Sequence, residues 1–571
     1  MSEVARLLVD YLDVWTGAVE RKNGAGRGNG GKLSLYGIEK LRALIRHLAV
    51  RGRLVPQHQT DEPASALLER INRARADFIG GRVGETLAND ADSHQPLPPA
   101  WIRVRLDNLA LPQAGFAFSS RYFNDRGAGL PLVRIRDVGQ PFSGTFYSGD
   151  FRDEFVVERG DYLISMDGEF RVAPWQGERA LLNQRVTRLQ FYSHETVQSF
   201  VEIALQEALK RLQGTKAYTT VDHLSGKQIA ASTIPFPPLA EQQRIMAKVD
   251  ELMALCDALE TGTLDAMVAH EKLVRELLAT LVSSQDAKGL AANWSRVETH
   301  FDALFTTAES LDALKGAILD LAVSGSLLRS APSDFSTDDL VQRLRRKNPR
   351  ASRKLNVLDN QSNHPVTLPR IPDHWRWVLM NDVVLRSDAG WSPQCEAYPR
   401  EGDSWGVLKV SAVSWGTFLP EENKQLPRSL EPRPEIEVQP GDVLLSRANT
   451  ANLVARSVVV PTDAPARLMM SDKIVRVVVH PEINAEFVHL CNLASWSRNY
   501  YSRVAGGTSS SMKNVSRGQI LALPIPLPSP SEQEEIVSAY RSAAQLVDAL
   551  YDAVALAGQH SIRVADVLVS G

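Results

Sequence analysis

The spacing of apolar residues changes abruptly at Pro237-Pro238. Before that pair, residues 224–236 ("LSGKQIAASTIPF") end in a short, strand-like apolar run. After it, Ile245, Val249, Leu252, Cys256 and Leu259 follow at steps of four and three, the a/d seam of a coiled coil. A proline pair suits the start of a helix, whose first turn leaves its N–H groups without intrahelical partners. A compact domain is therefore expected to end here and a long helix to leave it, interrupted near Gly262. The same grammar closes the chain in residues 515–550, with a seam of Ile536, Tyr540, Ala543, Val547, Leu550 and Val554. There Ser531 and Glu534 predict a capping box that the first copy lacks.

The two stretches belong to a larger repeat. "LRALIRHLAVRGRLV" (41–55) returns as "LKGAILDLAVSGSLL" (314–328), and "LPPAWIRVRLDNLA" (97–110) as "IPDHWRWVLMNDVV" (371–384). "VERGDYLISM" (157–166) matches "VQPGDVLLSR" (438–447), and "GTKAYTTVDHLS" (214–225) matches "GTSSSMKNVS" (507–516). The offset is far longer than that of a solenoid. A domain-plus-helix unit has been duplicated, and one chain with two copies can imitate a two-fold dimer.

The expected fold class is mixed α/β (α+β). Two similar domains would be separated by long antiparallel coiled-coil helices, with a pseudo-two-fold internal repeat. The expected boundaries are a helical region at 1–98, a first domain at 99–236, a helical spacer at 237–366, a second domain at 367–527 and a closing helix at 528–571. Within the first region, residues 21–32 ("RKNGAGRGNGGK") read as a flexible Gly-rich insertion between helices. Residues 284–299 and 348–366 read as linkers.

Composition narrows the function. The 571 residues carry 64 Lys+Arg against 67 Asp+Glu, a net charge of −3. That excludes a uniformly basic coat but not local basic clefts. Cys256, Cys395 and Cys491 have neither metal-like nor disulfide spacing, and the N-terminus has no signal-peptide pattern. A cytoplasmic protein without membrane attachment is expected.

Several motifs approach catalytic signatures and miss. "GRGNGGKL" (26–33) nearly spells a phosphate-binding loop, but Leu33 stands where magnesium needs Ser or Thr, and no strand precedes it. "HEKLV" (270–274) has Val274 in place of a zincin's second His. "PDHW" with "ENK" (422–424) evokes a nuclease, yet the other copy has no counterpart. "FPPL" (236–239) lacks the polar and aromatic groups with which an adenine methyltransferase grips its base. No catalytic and no metal residues are expected.

The remaining polar features suit DNA: Arg and Lys serve phosphates and guanine edges, Asn serves adenine edges, and Ser/Thr serve either. In the first domain they are Arg134 and Arg136 on a strand, Arg171, Arg185, Lys216, Tyr218, Thr219 and Thr220. In the second they are Arg447, Asn449, Asn452, Arg456, Lys473, Arg503, Lys513 and Asn514. Each copy sets a Gly-started polar loop just before the strand that enters its helix.

Taken together, "IPFPPLAEQQRI" and "LPIPLPSPSEQEEIV", the domain-opening Trp segments, and "GDYLI" with "GDVLL" resemble the DNA-specificity subunit of Type I restriction–modification systems. The order of parts matches over nearly the whole chain. The resemblance implies a non-catalytic subunit that binds double-stranded DNA through two target-recognition domains. It implies assembly with two methyltransferase (modification) subunits and with restriction/translocase subunits. S-adenosylmethionine, ATP and Mg would belong to those partners, with no cofactor in this chain. A stand-alone nuclease or ATPase, and a coiled-coil scaffold with no DNA role, remain open at this point.

Overall fold

A computed structural model describes residues 9–22, 32–80, 96–212, 224–328, 335–347, 366–509 and 512–570. The chain forms two compact units, residues 1–265 with 557–571, and residues 266–556.

In the first unit, Ile102–Arg105 pairs antiparallel with Thr233–Phe236, closing the two ends of the domain on each other. Between them lies a four-stranded sheet in the order Val172–Pro174, Tyr162–Ser165, Val186–Phe191, Ala110–Ala114. A second sheet holds Leu130–Val133 parallel to Ala180–Leu182. The helix Gln198–Leu212 buries Phe200, Ala204, Leu205 and Leu209.

The second unit repeats this plan. Arg376–Leu379 pairs with Pro524–Leu527. The four-stranded sheet runs Ser457–Val459, Val443–Ser446, Ile474–Val479, Val384–Ala389, the same order strand for strand. Gly406–Leu408 lies parallel to Leu468–Met469. Among the described residues, the first copy has one helix at this place and the second has two, Ala485–Leu493 and Ser495–Val504.

The Glu-Gln pair at each proline junction has a physical explanation. Glu241 accepts from the Trp101 indole N–H at 3.0 Å, and Glu532 accepts from that of Trp375 at 3.0 Å. Gln242 donates to the Pro237 carbonyl and accepts from the Val197 N–H, while Gln533 donates to Pro528 and accepts from Asn484. These four side chains staple helix to domain where neither helix geometry nor strand pairing can do so. Gly52 and Gly325, both at positive φ (68° and 81°), turn the chain beside the same tryptophans. A Cβ there would press on Pro98 or on Trp375 and Pro372.

Several details differ from expectation. The capping box is Ser529–Glu532, two residues before the predicted pair: Ser529 N–H donates to Glu532, and Glu532 N–H to Ser529 Oγ. Pro530 then occupies the first helical position, which suits proline. The helix Leu239–Val282 is continuous over 44 residues, roughly 66 Å at 1.5 Å per residue, with no break at Gly262. Residues 284–299 are not a linker: Ala287–Thr299 is a helix, capped where Asp286 accepts from the Gly289 N–H at 2.7 Å. The described part of the N-terminal stretch is helical only at Val9–Asp10 and Leu12–Gly17. Glu20–Lys22 and Lys32–Ser34 pair as a hairpin at the edges of the Gly-rich segment. Residues 23–31 themselves lie outside the described residues.

The seams divide by depth. Ile245, Val249, Leu252, Cys256, Ile536 and Val547 are buried, whereas Leu259, Tyr540, Ala543, Leu550 and Val554 are half-buried. In the second unit Val547 and Leu550 pack with Val274, Leu278 and Leu314. Arg42 reaches Asp257 at 2.5 Å, and the equivalent Lys315 reaches Asp548 at 2.6 Å. No described helix is long and apolar enough to cross a membrane.

The two junction carboxylates titrate oppositely. Burial raises Glu241 above the usual range. Burial also pushes on Glu532, but hydrogen bonds from His374, Trp375 and Ser529 outweigh it and hold the group low. A depressed folded value stabilises above the unfolded value near 4.3, and that stability is lost as pH falls through the folded value. Glu532→Gln should therefore cost about 1.5–3 kcal/mol at neutral pH, the worth of a hydrogen bond to a charged group. The gap to wild type should narrow below about pH 4, the region where the carboxylate protonates. Thermal melts across pH measure this; a gap constant with pH would contradict it.

Candidate nucleic-acid interface

In the second copy, the strand Val443–Ser446 ends at Arg447, where two main-chain bonds fix the exit. Arg447 N–H donates to the Lys473 carbonyl at 2.7 Å, and Val515 N–H donates to the Arg447 carbonyl at 2.9 Å. Ala448–Asn449 then pairs with Met512–Asn514, which pairs with Gly506–Ser509. The predicted polar loop is thus a β-hairpin, and a short helix, Arg517–Leu521, separates it from the entering strand.

This sheet gathers Arg447, Asn449, Lys473, Lys513 and Asn514. Arg447, Lys473 and Asn514 are exposed. Lys513 is half-buried and donates to the Gly507 carbonyl at 2.7 Å. The Asn449 amide is committed inward, donating to Ser414 Oγ at 2.9 Å. Arg456 is half-buried and donates to the Asn452 carbonyl, so it braces the loop, while Asn452 is exposed on it. Arg503 is exposed at the end of Ser495–Val504.

A buried polar network underneath this loop carried no sequence signal. Asn492 donates to the Ala455 carbonyl and to Ser457 Oγ, and accepts from the Tyr501 hydroxyl. Arg498 donates to the Val454 and Ala455 carbonyls. These bonds hold Ala455 at φ +56°. Burial pushes His489 down to about 4, so a neutral imidazole meets Ser457. Satisfied networks of this kind rigidify a loop.

The first copy uses the same ties: Met166 N–H donates to Arg185, and Leu224 N–H to Met166. Its arginines are more committed. Arg185 pairs with the buried Asp167, and Arg171 pairs with Glu169 at the surface. The exposed Arg171–Glu169 pair is worth about 0–1 kcal/mol and yields readily to a phosphate. Arg134 and Arg136 do not lie on a strand. The strand stops at Val133, and Asp137 accepts from the Arg134 N–H, winding a 3-10 turn. Lys216, Tyr218, Thr219 and Thr220 lie outside the described residues. Among the described residues, no group of three or more His, Cys, Asp or Glu could hold a metal ion.

Residues 101–267 match the family described as "Type I restriction modification DNA specificity domain". The Type I restriction enzyme EcoEI specificity subunit of Escherichia coli is 32% identical over 596 residues, covering 99% of each chain. The chain belongs to the specificity subunits of Type I restriction enzymes. The EcoAI specificity subunit of Escherichia coli is 27% identical over 608 residues, again covering 99% of each. A solved structure titled for complex assembly and conformational transition of the type I R-M system has 17% identity and a TM-score of 0.44, covering 83% of this chain and 98% of that one. As a specificity subunit, the chain has the role of DNA specificity and not of catalysis. Specificity subunits work in complexes with DNA and other restriction–modification subunits.

Proposed function

We propose that each α/β domain of this specificity subunit reads one half of a bipartite DNA target, and that the long helices set the spacing and carry two modification subunits. The observation behind this reading is that both copies keep one frame, strand for strand, but differ in the polar residues that leave it at Met166 and Arg447. Different loops on one frame suit different base sequences. Phosphate contacts would come from Arg447, Lys473 and Arg185, and base contacts from Lys513, Asn514, Lys216 and Tyr218. S-adenosylmethionine, ATP and Mg would be held by the modification and restriction/translocase subunits, and the complex would act in the cytoplasm. Methylome sequencing of cells with and without this chain is the test. A single two-part motif should vanish with the chain; a motif without two parts would refute the reading.

The helices offer a surface for those partners. Leu255 and Leu546 stand at equivalent positions in the two long helices, 49% and 71% exposed. Leu255→Asp with Leu546→Asp should leave thermal stability unchanged and lower co-purification of modification subunits at least tenfold. Undiminished co-purification would place the docking surface elsewhere.

A further inference from the structure

One ten-residue stretch of the frame keeps its leading arginine and four further residues in both copies: "RDEFVVERGD" (152–161) and "RPEIEVQPGD" (433–442). In each, the leading arginine precedes a 3-10 turn, Asp153–Phe155 or Pro434–Ile436. In each, its guanidinium lies over an aromatic ring from a distant part of the domain. Arg152 sits 5.4 Å from the Phe116 centroid and 4.8 Å from that of Phe155, and Arg433 sits 4.0 Å from the Trp391 centroid.

Those rings are also equivalent. Each follows a glycine, in Ala114-Gly115-Phe116 and Ala389-Gly390-Trp391. The glycine is obligatory for contact reasons: a Cβ on Gly115 would fall 2.2 Å from the Asn183 carbonyl oxygen, and one on Gly390 2.2 Å from that of Met470. The turn is thereby pressed against the segment that carries the interface. Gln184 N–H donates to the Phe116 carbonyl at 2.9 Å, one residue before Arg185. Asp472 N–H donates to Ser392 Oγ at 3.1 Å, one residue before Lys473.

A second arginine is also common to both copies and shows what a purely architectural role looks like. Arg188 donates to the Val156 and Glu154 carbonyls and contacts Asp161. Arg476 donates to the Glu437 and Glu435 carbonyls and contacts Asp442. Arg188 is 13% exposed and Arg476 1% exposed, and both spend N–H groups on holding the 3-10 turn. Arg152 and Arg433 stand on the outside of that turn. Arg152 is 64% exposed and, among the described residues, its one ion pair is at the surface with Glu154. Arg433 is exposed and, among the described residues, has no carboxylate partner.

We propose that Arg152 and Arg433, each lying over its aromatic partner, are equivalent phosphate contacts of the two recognition domains, gripping DNA regardless of its sequence. This rests on the DNA-reading role proposed above. Two half-sites differ in their bases but not in their backbone. A device retained in both copies while the neighbouring loops diverge therefore addresses what the half-sites have in common. Stacking fixes the plane of the guanidinium and leaves its N–H edge free for phosphate oxygens.

The test uses the full chain assembled with its modification subunits. Binding is measured over a range of salt concentrations, to a duplex bearing the motif found in cells and to a scrambled duplex. Arg152→Ala and Arg433→Ala should each weaken both duplexes by the same factor, about three- to tenfold, and make the log–log salt slope shallower by about one. The methylated motif should be unchanged. Arg433→Lys should keep the slope and lose part of the affinity, because the charge stays and the planar stack goes. Unaltered affinity and slope in both alanine variants would overturn the proposal. So would a changed base preference, which would make these residues base readers. If the wild-type complex itself failed to distinguish the two duplexes, the DNA-reading role would fall instead.

Discussion

Replacing Lys513 and Asn514 together by alanine is expected to relax one half of the methylated motif and leave the other half intact. Both residues lie on the central strand of the small sheet beside Arg447. A good base contact discriminates by about 1–3 kcal/mol, roughly tenfold to more than a hundredfold, at its own position only. The effect should therefore appear as extra permitted bases within one half-site. Lys216→Ala with Tyr218→Ala should do the same to the other half. Motif analysis of cells carrying each variant measures both. A change in both halves from either variant would contradict independent reading by the two domains.

A second large effect is expected at Leu252. It is 3% exposed on the long helix, in step with the buried Ile245, Val249 and Cys256. Aspartate there would bury an unpaired charge, at a cost of about 3–5 kcal/mol, the range seen when a buried charge lacks its partner. Folding of the first unit and assembly with partners should both fail. Leu259→Asp is the comparison, because Leu259 is only half-buried and water can reach the new carboxylate. Thermal melts and co-purification should separate the two variants clearly. Equal behaviour would mean that the seam does not distinguish its positions by depth.

The features legible in the sequence were those fixed by periodicity or by local pairing. The seam residues show a four-three spacing because a helix must bring them to one side. The duplicated Trp and Glu-Gln segments stand out because their side chains close hydrogen bonds between helix and domain that nothing else can supply. Local competition was harder to read. "SPSEQEE" contains two Ser-x-x-Glu frames, Ser529–Glu532 and Ser531–Glu534, and the decision falls to Pro530, which fits the first helical turn of one frame only. Gly262 costs a long helix about 1 kcal/mol, which 44 residues of packing absorb. Arg134 read as strand because its neighbours are apolar and β-branched, yet Asp137 captures its N–H and turns the chain. The guanidinium–aromatic pairs were beyond reach: Phe116 and Arg152, or Trp391 and Arg433, are far apart in sequence, and no periodicity links them.

The strand pairs Ile102–Arg105 with Thr233–Phe236, and Arg376–Leu379 with Pro524–Leu527, also bear on inheritance. Each brings the beginning and the end of a domain side by side, and each is stapled to its helix by one Trp–Glu bond. The polar loops that differ between the two recognition domains lie between those two points. A recombination event that cut the gene near the codons for both strands would move a whole reader as a cassette, with its two ends already spaced to fit the recipient frame. Such a lineage could acquire a new target without evolving a new fold.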